Sequence, residues 1–161
     1  MRGTKSILVL VALMLLASVG GGCAAASSDD PRDQVYVTTP RDSPVRHTTD
    51  EAKADLVLWI SNQSFEDWDV GLTVLIDGVP IADGKFQVQD QHTWISLPLN
   101  LEPGDHELSA ASTTGVRTVE TFTTPATHEQ RYAVLSYWFS SGDSIDRSLQ
   151  WMWSEEPVHF D

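Results

Sequence analysis

Apolar residues recur with period two through most of the chain after residue 55. Val70, Leu72, Val74 and Ile76 alternate with Gly71, Thr73, Leu75 and Asp77. That is the pattern of a strand with one face buried and the other in water. Ile95, Leu97, Leu99 and Leu101 fall on one face of a second run over 93–101. Pro98 within it lacks a ladder donor and predicts an edge position or a bulge. Leu56–Ser61, Phe86 with Val88, His106–Ala111, Val116–Thr123 and Leu149–Trp153 read as further strands. Arg131–Ser140 is apolar on both faces, with Tyr132, Val134 and Trp138 on one and Ala133, Leu135, Tyr137 and Phe139 on the other. It predicts a central strand covered from both sides, with Trp138 buried. Asp77-Gly78 suits a tight hairpin, since glycine accepts the positive φ such turns need. Glu102-Pro103-Gly104-Asp105 suits a type II turn. No helical periodicity interrupts these runs. Seven or eight strands at this spacing predict an all-β fold, an antiparallel β-sandwich over residues 55–161.

The chain before residue 55 has a different pattern. Residues 23–54 crowd Ser27, Ser28, Asp29, Asp30, Pro31, Pro40, Ser43 and Pro44 around little apolar bulk, chiefly Val35, Tyr36 and Val45. Val35-Tyr36-Val37 offers a short strand at most. Such a segment buries too little surface to offset its ordering entropy and reads as a flexible tether. Residues 1–22 begin with Arg2 and Lys5, continue in an apolar run from Ile7 to Val19, and end in Gly20-Gly21-Gly22. Cys23, the only cysteine, follows at once. A basic start, an apolar stretch and small residues at a cut site make a secretory signal. With cysteine at that cut, the segment resembles the signal of a bacterial lipoprotein. The resemblance implies cleavage before Cys23, a lipid such as palmitate on its thiol, and an extracytoplasmic place in the cell envelope. The residues also fit an ordinary signal cut after Ala26. An uncleaved anchor suits them less, because Ile7 to Val19 falls short of the roughly 20 residues that span a bilayer.

Charge narrows the partners. The chain carries 10 Lys+Arg against 23 Asp+Glu, a net charge of −13 that loss of Arg2 and Lys5 would take further negative. Phosphates repel such a surface, so nucleic acid is excluded as a natural partner. Anionic lipid would be met only through an anchor. With Cys23 lipidated, the folded part holds no cysteine for a disulfide, a thiolate metal site or a nucleophile.

Val74-Leu75-Ile76-Asp77-Gly78 and, later, Leu101-Glu102-Pro103-Gly104-Asp105-His106-Glu107-Leu108 are similar to a recurring pattern of immunoglobulin-like bacterial modules. There a strand ends in Asp-Gly, and a Pro-Gly-x-His turn opens a later one. The resemblance implies an immunoglobulin-like sandwich and carries no catalytic residues.

Candidate chemistry is sparse. Trp59, Trp68, Trp94, Trp138, Trp151 and Trp153 are many for one small domain. Tryptophan either fills cores or offers a flat face to a sugar or a partner. Trp151 and Trp153, two apart on a strand, share one face and are candidate contacts if not core. Trp68, ringed by Glu66, Asp67 and Asp69, is a candidate contact in a loop. Those acids, with Asp143 and Asp146, have no EF-hand spacing. The histidines have no paired zinc spacing, and neither a G-x-S-x-G elbow nor a phosphate loop occurs. No metal or cofactor is implied. The sequence therefore predicts a non-catalytic binding sandwich on a lipid anchor, contacting an envelope protein or a glycan. A carbohydrate-binding module is the alternative, and a hydrolase built on loop carboxylates is a third reading.

Overall fold

The structure, a computed structural model, describes residues 39, 42–88 and 94–160. Residues 1–22, Cys23, His92 and the tether up to residue 38 lie outside the described residues.

Nine strands are present among the described residues: β1 (Val45–His47), β2 (Leu56–Asn62), β3 (Asp69–Ile76), β4 (Val79–Gln87), β5 (Ile95–Leu101), β6 (Gly104–Ser112), β7 (Arg117–Thr124), β8 (Arg131–Ser140) and β9 (Ile145–Ser154). They form a five-stranded sheet in the order β1-β5-β2-β8-β9 and a four-stranded sheet in the order β4-β3-β6-β7. The two pack face to face as a β-sandwich. Every pair is antiparallel except β2 with β8, which run parallel from Leu56↔Arg131 to Asn62↔Tyr137. Leu56, Leu58, Ile60, Leu97, Leu99, Leu135 and Tyr137 face inward from one sheet, and Val70, Leu72, Val74, Ile76 and Leu108 from the other. The period-two runs of the sequence supply these layers.

The turns follow their residues. Asp77 and Gly78 both take positive φ, 51° and 74°, as a two-residue hairpin loop requires. Gly104 sits at φ 138°, a conformation that favours glycine but lies well beyond the φ of about 80° of the expected type II turn. Pro98 lies inside β5 rather than at an edge strand. Its carbonyl accepts from the Thr48 N–H just past the end of β1, so its nitrogen faces the side where the ladder has stopped.

Two expectations are corrected. The first concerns the tether. Residues 43–54 belong to the sandwich: β1 pairs with β5 through Val45↔Leu101, Arg46↔Asn100 and His47↔Leu99, and Val45 is fully buried in the core. His47 Nε2 donates to the Ile81 carbonyl at 2.9 Å. The β3–β4 register jumps between Val74 and Leu75, so Ile81 has no ladder partner and its carbonyl is available. A three-residue strand with one apolar side chain thus joins the two sheets. The second concerns Trp138. Tyr137, not Trp138, enters the core. Trp138 is half-buried on the outer face of the five-stranded sheet.

The strand directions define two ends. The chain enters β1 at the near end, where the β3–β4 and β5–β6 turns also lie. The β2–β3, β6–β7 and β8–β9 loops gather at the far end.

Candidate functional site

The far end presents the most exposed aromatic side chains of the domain. Phe65 and Trp68, in the β2–β3 loop, are 53% and 68% exposed. This loop is tightly braced. Asn62 Nδ2 donates to the Asp67 carbonyl at 2.8 Å and to the Phe86 carbonyl at 3.1 Å, while its Oδ1 accepts from the Ser64 N–H at 3.0 Å. Ser64 Oγ accepts from the Glu66 and Asp67 N–H groups and donates to the Phe139 carbonyl. Short polar side chains bonding to nearby backbone fix loops of this kind. The Trp68 carbonyl accepts from the Val88 N–H at 3.0 Å, tying the loop to the end of β4.

The acids of the loop are structural. Asp67 accepts from Arg147 Nε at 2.9 Å and from Arg147 Nη2 at 3.1 Å, a two-point pair. The Tyr137 hydroxyl donates to Asp67 Oδ2 at 2.6 Å and lies 3.1 Å from the Thr114 hydroxyl. The Arg147 guanidinium, then the Tyr137 hydroxyl, holds the Asp67 carboxyl below the usual aspartate range against the opposing effect of desolvation. Burial, with the neighbouring carboxylate, pushes the Tyr137 phenol up, so it stays a donor. The same guanidinium stands 3.8 Å above the centre of the Phe139 ring. Glu66 Oε1 accepts from the N–H and hydroxyl of Ser141, which lowers its pKa. Asp69 meets Lys85 at 3.3 Å, and Asp143 accepts from the Ser140 hydroxyl at 2.8 Å. Among the described residues no group of three or more His, Cys, Asp and Glu converges on one point.

Trp151 and Trp153 lie elsewhere. They sit opposite Leu135 and Ala133 on β9 and face inward. Phe122 of β7 packs on both, with ring centroids 5.9 and 4.9 Å away. They close the open side of the sandwich between β9 and β7 and are half-buried against the core. The structure does not bring them to Trp68; the other exposed aromatic side chain of that loop is Phe65. Nothing in the sequence singles out Phe65, because one Phe in a short loop carries no periodicity.

A histidine–carboxylate pair occupies the near end. His106 Nδ1 lies 2.7 Å from Asp77 Oδ2, and its Nε2 lies 2.8 Å from the Glu102 carbonyl and 3.0 Å from the Thr124 hydroxyl. An Asp–His–hydroxyl order is the outline of a nucleophile-activating triad. Here the Thr124 hydroxyl donates to the Glu102 carbonyl at 2.9 Å, which turns its proton away from the imidazole. His106 and Thr124 are also buried. The pair is a clamp: Asp77 also accepts from the Glu107 N–H at 2.9 Å. The Asp-Gly and Pro-Gly-x-His segments therefore lock two turns of the near end together.

What the site offers chemically is an exposed aromatic pair on a rigid loop with its carboxylates already engaged. No family model, no curated protein and no solved structure matches this chain.

Proposed function

We propose that this chain is a membrane-anchored, extracytoplasmic lipoprotein, acylated on Cys23, whose β-sandwich is a non-catalytic binding domain of the immunoglobulin-like type. Its contact surface is the β2–β3 loop carrying Phe65 and Trp68, and its partner is another component of the cell envelope. One observation carries the reading. The loop is held by hydrogen bonds that Asn62 and Ser64 donate and that Glu66 and Asp67 accept, yet it turns its two largest apolar side chains into water. Packing gains nothing from that arrangement. A partner gains a pre-ordered aromatic anchor, of the kind that dominates binding interfaces. The loop lies at the end of the sandwich opposite the one where the chain enters β1.

The reading is tested with a photo-crosslinking residue placed at Trp68 and, as control, at Val119, an exposed apolar position on β7. Position 68 should yield one discrete adduct in intact envelopes and position 119 none. Cys23→Ala should release the protein from membranes or block its processing, since stable anchoring takes two or more acyl chains. Processed Cys23→Ala that stays with membranes, or equal adducts at both positions, overturns the proposal. A glycan adduct at 68 would move the reading to a carbohydrate-binding module.

A further inference from the structure

A second aromatic surface lies on the outer face of the five-stranded sheet. Leu58 and Ile60 point into the core, so Trp59 between them points outward. Trp59 stacks on Tyr132 of β8 with ring centroids 6.0 Å apart and planes within 12°. After β9 the chain turns back, and residues 157–160 cross this face without regular structure. Phe160 stacks on Trp94 with centroids 4.3 Å apart and meets Trp59 edge-on at 5.7 Å. Trp59 and Trp94 thus cradle one aromatic ring, with Tyr132 stacked on Trp59.

Three observations make the occupant a weakly held one. Phe160 remains 41% exposed in its seat. Among the described residues, none of 157–160 hydrogen bonds to the sheet; the only bonds of the turn join Ser154 and Glu156. Trp94 Nε1 is buried with no hydrogen-bond partner, a donor that the tail leaves unmet at a cost. Charge adds to this. Glu155, Glu156 and Asp161 flank the tail in a chain of net charge −13, and Arg131 answers Glu155 only at 3.9 Å.

We propose that this cradle is a docking site for an extended peptide segment of another protein, one with an aromatic side chain and a neutral or basic flank, and that residues 157–160 fill it in cis as a displaceable strap. The chain's own Phe160 shows the shape that fits. The unpaired indole N–H offers a bond to a peptide carbonyl that reaches further than the tail does. The acidic body favours a flank of opposite sign over the chain's own acids.

The test uses the indole N–H resonances of Trp94 and Trp59 in the chain from residue 24, which contains every strand of the sandwich. Wild type and Phe160→Ala are titrated with a synthetic peptide copying residues 155–161, and with the same peptide carrying Glu156→Lys. Both resonances should shift saturably in Phe160→Ala. Wild type should need about tenfold more peptide, because its tethered tail competes at millimolar or higher effective concentration. The Glu156→Lys peptide should bind more tightly, and the gain should fade with salt. A peptide with Phe160→Ala should leave the resonances unmoved. Trp68→Ala should bind the peptide as its parent does, which separates this site from the far-end loop. The proposal is overturned if folded Phe160→Ala shows no shift, if wild type responds equally, or if oligosaccharides rather than peptides shift the signals. It also fails if Phe160→Ala lowers the melting temperature by more than about 10 °C, since Phe160 would then be part of the fold.

Discussion

Tyr137→Phe removes one hydroxyl from the core and leaves the ring in place. The ring is fully buried, so the change isolates the bond to Asp67 Oδ2 at 2.6 Å and the approach to Thr114 at 3.1 Å. A hydrogen bond to a charged group contributes about 1.5–3 kcal/mol. Asp67 keeps both bonds from Arg147, so no carboxylate is stranded and the lower part of that range applies, about 1.5–2 kcal/mol. For a domain of this size the melting temperature should fall by about 6–8 °C. Urea and thermal unfolding near neutral pH, followed by tryptophan emission, measure it. Acid adds a second readout. Asp67 is held below its ordinary value of 3.8, by Arg147 first and then by Tyr137. A depressed carboxyl contributes stability above the unfolded pKa that is lost as pH falls through the folded one. The gap between wild type and Tyr137→Phe should therefore narrow below pH 3.8. A neutral-pH difference under about 0.5 kcal/mol, the range of an ordinary surface change, would refute the role given to this hydroxyl.

Val45→Ala tests β1: two buried methyl groups and the space they leave should cost about 2 kcal/mol in urea unfolding, whereas a tether residue would cost almost nothing. Trp138→Ala, on the outer face, should lower the melting temperature less than Tyr137→Ala, which empties part of the core. Burial pulls the His47 imidazole below its ordinary 6.5, outweighing its bond to the Ile81 carbonyl. The unfolded chain then takes up a proton near pH 6.5 that the folded chain resists. Stability should fall as pH drops through that value and level off once the folded imidazole protonates, and His47→Gln should flatten that part of the urea-midpoint profile.

The strands were legible because alternation states a local fact about burial. β8 runs over Arg131–Ser140, the span its sequence predicts. Where both faces of that strand are apolar, alternation cannot say which face meets the other sheet, and the expectation that Trp138 is buried failed for that reason. β1 was hidden because one apolar side chain beside Pro44 carries no period; its strand exists through pairing with β5 and the bond from His47 to Ile81. Trp68 could be placed in an exposed loop from its ring of acids. The bracing of that loop could not, because Glu66 meets Ser141 and Asp67 meets Arg147 from 75 and 80 residues away. Trp151 and Trp153 shared a face as their spacing predicts. Their inward side depends on Phe122, on a strand of the other sheet.

Whether Trp68 serves contact rather than stability, as proposed, is measured directly by Trp68→Ala. The variant should unfold within about 0.5 kcal/mol of wild type in urea, as exposed positions do, while capture of the partner identified by crosslinking at position 68 falls at least about tenfold, the loss of roughly 1.4 kcal/mol or more that a binding hot spot entails. A variant that captures the partner as well as wild type does, or one that loses capture only because it has lost its fold, would contradict it.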